Sequence, residues 1–188
     1  MDHPCIAIYD ANILYPAPLR DLFIRIAQAG LVQAKWTEEV HDEWIRNVLK
    51  NNPQLSAERL ARTRSLMNDA VRDCLVTNYE DLIDTISLPD ADDRHVLAAA
   101  IRSKAHVIVT FNLKDFPSEI ISRFGIEAQH PDDFLVSLFE LAPIQVCAVA
   151  KQQRESLKNP PVSIDDFLET LENQQLPKTM SRLREFLI

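Results

Sequence analysis

Carboxylates flank both ends of one helix–strand pair, in the segment LPDADDRHVLAAAIRSKAHVIVTFNLKDF (88–116). Asp92 and Asp93 precede an alanine-rich helix, and Asn112 and Asp115 follow a strand of mostly β-branched residues. One carboxylate at a helix start is explained by capping of the free N–H groups. Several oxygen ligands from separate segments are typical of Mg²⁺ or Mn²⁺ sites, since these ions bind carboxylates, water and substrate phosphate.

Two further acidic residues extend the candidate set beyond that segment. Asp10 ends the apolar run CIAIY (5–9), and Glu43 lies on a predicted helix. A charge at the edge of a buried strand is hard to explain as structure alone. For Asp90 or Asp92 taken singly, helix capping is the favoured interpretation. The candidate metal ligands are therefore Asp10, Glu43, Asp93 and Asp115, with Asn112, Asp90 and Asp92 near them.

Glycine is almost absent, and this excludes whole classes of phosphate-binding motif. The chain has only two glycines, Gly30 and Gly125. No glycine-rich loop can cradle a phosphate, so P-loop and dinucleotide-binding motifs are ruled out. If phosphate is handled, a metal or basic side chains must do it. Two ions could hold both the attacking and the leaving oxygen of a phosphoryl centre.

The net charge of −8 argues at first against a nucleic-acid partner, but its distribution is uneven. Residues 46–72 carry six basic and two acidic side chains, so this stretch is positive within an acidic protein. It predicts either a surface for nucleic-acid phosphate or an ordinary solvated helix face. The basic residues are Arg46, Lys50, Arg59, Arg62, Arg64 and Arg72.

Composition also predicts the compartment. The three cysteines, at 5, 74 and 147, are far apart and have no zinc spacing, which favours a reducing cytoplasm. No apolar run reaches the roughly 20 residues of a membrane helix. The acidic N-terminus MDHPCIAIYD shows no signal peptide. We therefore expect a cytoplasmic protein without a membrane partner.

Strand and helix patterns alternate along the chain and predict an α/β fold. Short apolar runs predict strands at 5–9, 32–36, 106–110 and 124–129. Helical spacing predicts helices at 18–29, from Thr37 to Asn52, and at 56–73, 80–86, 91–103 and 132–141. Such alternation favours a parallel sheet with helices on both faces and a ligand at the carboxyl ends of the strands.

The chain changes character after Pro143. Helices are predicted at 144–157, at 164–173 after the S-x-x-D cap of Ser163, and from Pro177 to Ile188. We expect a main α/β domain over 1–142 and a small helical extension over 143–188. The extension could dimerise, hold a protein partner or enlarge a nucleic-acid surface.

Four motifs in order resemble those of the PIN domain. Each is weak alone, but together they cover roughly residues 5–140. The third and fourth motifs, with HPDDF (130–134), are most similar to VapC-like toxins of type II toxin–antitoxin systems. The motifs are IYDANILY (8–15), EEVHDEWIRNVL (38–49), LPDADDRHVLAAAI (88–101) and VTFNLKDF (109–116).

The resemblance implies a three-layer α/β/α fold and a metal-dependent endoribonuclease that leaves 5′-phosphate and 3′-hydroxyl ends. Asp10, Glu43 and Asp93 would hold Mg²⁺ or Mn²⁺, and Asp115 or Asn112 would complete the site. Asn112 stands where many family members carry Asp, so the site has one negative charge less.

The resemblance also implies roles for residues around the ligands. Asn12 and Thr110 would orient ligands or water, although Thr110 could be a plain strand residue. RNA contact is expected from the basic stretch; Arg46 could instead pair with Glu43 or Asp42. The implied partners are an RNA substrate and a cognate antitoxin, and a homodimer is a further option. The RNA-contact candidates are Arg46, Lys50, Arg59 and Arg62.

Arg94 and His95 follow the acids of the third motif directly. Arg94 could neutralise the acid cluster or reach an antitoxin, and His95 is expected to pack or hydrogen-bond. Trp36 and Trp44 are expected in the core.

Two other functions compete with the nuclease. A catalytically silent PIN-like module would bind RNA or protein, and an unrelated phosphatase is disfavoured because Asp10-Ala11-Asn12 lacks the D-x-D pattern.

Overall fold

Four short strands form one parallel sheet in the computed structural model, which describes residues 4–187. The spatial order is β2-β1-β3-β4. The predicted α/β class with a parallel sheet is confirmed. Residues 1–3, which belong to the segment searched for a signal peptide, and Ile188, the predicted end of the last helix, lie outside the described residues. The strands are β1 (Ile6–Tyr9), β2 (Gln33–Lys35), β3 (Val107–Val109) and β4 (Glu127–Gln129).

The two central strands are buried and end level with each other. All three residues of β3 are buried, as expected for a parallel strand covered on both faces. Tyr9 pairs with Val109 in parallel register. The residues that follow these strands, Asp10 and Thr110, therefore lie side by side at the carboxyl edge of the sheet.

Helices cover the sheet on both sides, giving three α/β/α layers. The described residues contain eleven α-helices, and every predicted helix is present with shifted ends. Two four-residue helices were not predicted, because so short a segment shows no apolar periodicity. The helices are α1 (Ala11–Leu14), α2 (Ala17–Gln28), α3 (Glu38–Asn51), α4 (Ala57–Ala70), α5 (Glu80–Ile83), α6 (Arg94–Arg102), α7 (Ser118–Ile121), α8 (Pro131–Leu141), α9 (Pro143–Ser156), α10 (Ile164–Glu172) and α11 (Pro177–Leu187).

Capping and core packing hold α3 in place. The Thr37 hydroxyl accepts the Val40 N–H at 3.1 Å, which confirms the predicted helix start. Trp36 and Trp44 are fully buried, which confirms the prediction that they belong to the core. Arg20 lies with its guanidinium carbon 4.7 Å from the centre of the Trp44 ring. The face of α3 opposite this core carries the acidic residues.

The C-terminal helices pack against the α/β layers. Helix α9 contacts α2 and α8, and α11 contacts α8. The buried Asp132 carboxylate, on α8, accepts the backbone N–H groups of Lys178 and Thr179 at 2.9 and 2.8 Å. It therefore caps the first turn of α11. None of the helices described is long and apolar enough to cross a membrane.

Candidate active site

Asp10 is held at the carboxyl end of β1 by three hydrogen-bond donors. Its Oδ1 accepts the Ala11 N–H at 2.6 Å. Its Oδ2 accepts the Asn12 amide at 2.7 Å and the Thr110 hydroxyl at 2.6 Å. The residue is 4% exposed, so the direction of its carboxylate is determined by these contacts.

Asn12 and Thr110 join the two loops that follow β1 and β3. The Asn12 amide also donates to the Thr110 hydroxyl at 2.9 Å, and its carbonyl oxygen accepts the Phe111 N–H at 3.2 Å. The Thr110 hydroxyl further accepts the Asn112 N–H at 2.9 Å. Both side chains thus donate hydrogen bonds to the Asp10 carboxylate.

Burial dominates the electrostatics of Asp10. It raises the pKa of the Asp10 carboxyl to about 6, although the Thr110 hydroxyl and the Ala11 N–H lower it. The Glu43 charge raises the pKa further, and His95 lowers it. A proton or a cation is therefore bound more readily at this carboxylate than at an exposed aspartate.

Asp93 lies at the first position before α6 and faces the same region. Burial raises the pKa of its carboxyl to about 7, and the charges of Asp10 and Asp115 add to the increase. Smaller contributions come from Asp90 and Glu43. The charges of three other predicted ligands, from separate chain segments, thus act on the Asp93 carboxyl.

The two candidates for the fourth ligand differ in burial. Asp115 is 7% exposed and lies in the short 3₁₀ turn Leu113–Asp115. Asn112 is exposed, and only its backbone is tied into the network described above. The structure therefore brings the Asp115 charge towards Asp93 and leaves the Asn112 side chain at the surface.

Helix α6 begins later than predicted. Arg94, not Ala91, is its first residue, and the Asp93 side chain just before it makes no capping hydrogen bond. The Asp90 carboxylate accepts the Asp92 N–H at 2.9 Å in the preceding turn. Asp90 therefore stabilises the turn before α6 and does not cap the helix itself, which differs from the predicted role.

A cavity of about 580 Å³ opens between α3 and the start of α6. Carboxylates and two guanidinium groups dominate its wall. Glu43 and Asp93 both line it, whereas Asp10 and Asp115 are buried beside Asp93. The wall consists of Glu39, Asp42, Glu43, Arg46, Ile83, Ala91, Asp92, Asp93, Arg94 and His95.

His95 lies beneath two glutamates of α3. Its Nδ1 is 3.7 Å from Glu39 Oε2, and its Nε2 is 3.8 Å from Glu43 Oε2. Nδ1 is buried and makes no hydrogen bond within the described residues. The expected packing is thus found, without a hydrogen bond on this nitrogen. Burial lowers the pKa of His95, but the neighbouring glutamates raise it more, so the net shift is upwards.

Glu39 is a member of this region that the sequence interpretation did not select. Its carboxylate accepts the Tyr79 hydroxyl at 3.3 Å. The sequence held a signal, because Glu39 and Glu43 are one helical turn apart and share a face of α3. Nothing in the sequence pattern pointed to Tyr79, which reaches the site from another segment.

Residues 46–72 offer less unpaired positive charge than their composition indicated. Arg64 pairs with Glu38 and, at 2.8 Å, with Asp42, so its charge is neutralised. Lys50, on α3, and Arg59 and Arg62, on α4, are exposed. These three, and Arg46 on the cavity wall, form no ion pair with the described part of the chain. The proposed pairing of Arg46 with Glu43 or Asp42 is therefore not found.

The donor set suits a hard divalent cation but not a closed protein cage. Within residues 4–187, no three His, Cys, Asp or Glu side chains converge closely enough to enclose an ion. Buried carboxylates whose pKa is raised by neighbouring acids nevertheless favour a cation. Mg²⁺ commonly binds one or two carboxylates and keeps several waters, so an open arrangement fits it.

Comparisons with known proteins identify two regions of the chain. The PIN domain model matches residues 7–114, and the model of the VapC50 C-terminal domain matches residues 131–185. A protein of Mycobacterium tuberculosis named "Putative ribonuclease VapC50" is 39% identical over 106 residues. That alignment covers 56% of this chain and 62% of the relative, so less than two thirds of the relative's length is spanned. No solved structure matches the chain significantly.

Proposed function

The chain belongs to the PIN-domain family, and from this premise we propose that it is a metal-dependent endoribonuclease, the toxin of a type II toxin–antitoxin module. The 39% identity to a relative named as a VapC50 ribonuclease supports this assignment. A cognate antitoxin is the corresponding protein partner. We assign the nuclease to residues 1–142 and a helical extension to residues 143–188.

One observation carries the proposal. Asp10 and Asp93 come from chain segments more than 80 residues apart, and burial together with the charges of neighbouring acids raises their pKa values to about 6 and about 7. Such clustering destabilises the fold unless something compensates, which marks it as a functional feature. A divalent cation supplies that compensation.

Four acidic residues form the metal site in this proposal. Asp10, Glu43 and Asp93 bind Mg²⁺ or Mn²⁺, and Asp115 completes the set in preference to the exposed Asn112. When bound, the cation polarises the phosphodiester and lowers the pKa of a coordinated water.

Asn12 and Thr110 act through Asp10. Their hydrogen bonds, at 2.7 and 2.6 Å, keep Asp10 Oδ2 in one orientation. Exact placement matters because catalytic groups displaced by about 1 Å lose much of their effect. The RNA strand reaches the carboxylates through the cavity between α3 and α6. Arg46, Lys50, Arg59 and Arg62 offer positive charge along that approach.

Cleavage of RNA tests the proposal directly. Purified protein is incubated with a mixed pool of RNA in Mn²⁺, in Mg²⁺ and in EDTA. We expect cleavage only with a divalent ion. Asp10→Asn and Asp93→Asn are each expected to reduce it by at least about 100-fold, because each removes a charged ligand. Asp69→Asn is the matched control, since Asp69 is exposed on α4 and should retain full activity.

Each alternative outcome has a clear meaning. Loss of cleavage in both site variants, with 5′-phosphate ends on the products of the wild type, supports the nuclease. Binding of RNA without cleavage, in either metal, favours the catalytically silent module. Equal cleavage by the wild type and both site variants contradicts the proposed ligands.

A further inference from the structure

Two arginines face the acidic cavity from opposite walls and pair with none of its carboxylates. Arg46 lies on α3, and Arg94 is the first residue of α6. Carboxylates outnumber guanidinium groups five to two on this wall. Within the described residues, neither arginine has a carboxylate oxygen within 4.0 Å.

Other arginines in the protein behave differently. Arg64 pairs with two acids next to the cavity, and Arg102, on the same helix as Arg94, pairs with Asp81. Pairing is therefore accessible to arginine side chains in this region. The guanidinium groups of Arg46 and Arg94 form no such pair, although acidic residues line the same cavity.

The guanidinium of Arg94 is also oriented. Its Nε donates to the Ala91 carbonyl at 2.9 Å, within the turn that precedes α6. Its two terminal nitrogens make no hydrogen bond to the described residues. An oriented fork of free donors suits a phosphate, which accepts two parallel N–H bonds.

We propose that Arg94 and Arg46 form a phosphate clamp, which grips the backbone of a single RNA strand on either side of the carboxylates. The inference rests on the proposed nuclease function and names the residues that hold its substrate. The volume of about 580 Å³ is that of a small-ligand site. An excess of carboxylates repels phosphate, so the clamp acts once a cation has neutralised part of that charge.

A salt titration of RNA binding tests the clamp. Binding of a fluorescent single-stranded RNA is followed by anisotropy from about 0.05 to about 0.3 M NaCl, in Ca²⁺, with the integrity of the RNA checked on a gel. Arg94→Gln is expected to weaken binding about tenfold at low salt. The slope of log K against log salt should fall by about 0.7, the value for one lost phosphate contact on a single strand. Arg46→Gln should show a similar loss of slope.

Two further variants separate charge, geometry and folding. Arg94→Lys keeps the charge, so the slope should be retained while affinity falls, because the fork is lost. Arg102→Gln is the control on the same helix and should leave the slope unchanged, since Arg102 is already paired. Mn²⁺ affinity, measured by calorimetry, should change less than about threefold in Arg94→Gln if the side chain binds RNA and not the acids.

The outcomes distinguish the clamp from the nuclease. An unchanged slope together with tighter Mn²⁺ binding in Arg94→Gln overturns the clamp, because Arg94 would then only balance the acidic charge. If the wild type cleaves RNA but Arg94→Gln keeps the salt slope of the wild type, the clamp is rejected and the nuclease proposal stands. RNA binding with the expected slope but no cleavage keeps the clamp and rejects the nuclease. Absence of RNA binding overturns both.

Discussion

At the scale of single residues, burial and hydrogen bonding have opposite effects on the pKa of the Asp10 carboxyl. Three hydrogen bonds stabilise its charged form, yet burial outweighs them and the pKa rises to about 6. At Asp93, by contrast, burial and the charges of neighbouring acids act in the same direction and raise the pKa to about 7. Both residues were selected from sequence because they follow or precede apolar elements. Their role as metal ligands stays a prediction.

These pKa shifts predict how stability depends on pH without metal. The pKa of Asp93 is about 7 in the folded protein and 3.8 as its unperturbed value, so the folded state binds more protons between these limits. Stability from this proton is fully present below about pH 4 and is lost as pH rises through about 7. Because Asp93 is half-exposed, we expect a loss on the order of 1–2 kcal/mol, smaller than full burial would give.

Urea unfolding in EDTA at about pH 5 and about pH 8 measures this effect. Asp93→Asn should be more stable than the wild type at the higher pH, and the difference should shrink at the lower pH. Asp69→Asn should follow the wild type at both. The prediction fails if Asp93→Asn keeps the pH dependence of the wild type.

At the scale of elements, helix ends explain where the sequence interpretation worked and where it did not. The cap of Ser163 on α10 was predicted, and its hydroxyl accepts the Asp166 N–H at 3.1 Å. At the start of α8, His130 caps the helix, because its Nδ1 accepts the Asp132 N–H at 3.2 Å. The Asp132 side chain instead caps α11, 45 residues later, which local spacing cannot reveal.

Replacing this cap should loosen the C-terminal helix. Asp132→Ala leaves the N–H groups of Lys178 and Thr179 without an acceptor, and the buried Thr179 hydroxyl keeps only the longer hydrogen bond to the backbone carbonyl of residue 132, at 3.3 Å. We expect a loss of about 2–3 kcal/mol of unfolding free energy, from the lost cap and the unsatisfied donors. Asp133→Ala is the matched control: it removes only an exposed pair with Lys178 and should cost less than about 1 kcal/mol. Equal losses in urea unfolding would contradict this role of Asp132.

At the scale of the whole molecule, the site joins elements that are distant in the chain. Asp10 follows β1, Thr110 follows β3, Glu43 lies on α3, and Asp93 precedes α6. An ion bound between them would connect both central strands to α3 and α6. Its binding energy would therefore add to the stability of the α/β layers and not to one local segment.

Metal should raise the melting temperature of the intact chain. At about 100 times its dissociation constant, a ligand specific for the folded state adds about 2.7 kcal/mol. For a protein of this size, this corresponds to roughly 5–10 °C. Thermal melts with Mn²⁺ and with EDTA should show this shift in the wild type and in Asp69→Asn. Asp10→Asn should reduce it strongly, and an undiminished shift in that variant would place the ion elsewhere.

The sequence by itself determined the fold class, the strands, the longer helices and the choice of candidate acids. These depend on local patterns: apolar periodicity, caps, and carboxylates at the ends of buried runs. Only the tertiary structure decided which partners meet. Asp115 is buried, whereas the Asn112 side chain is exposed. Arg64 forms ion pairs, and Arg46 and Arg94 line one cavity. Contacts between distant segments depend on packing in three dimensions, and spacing along the chain does not record it.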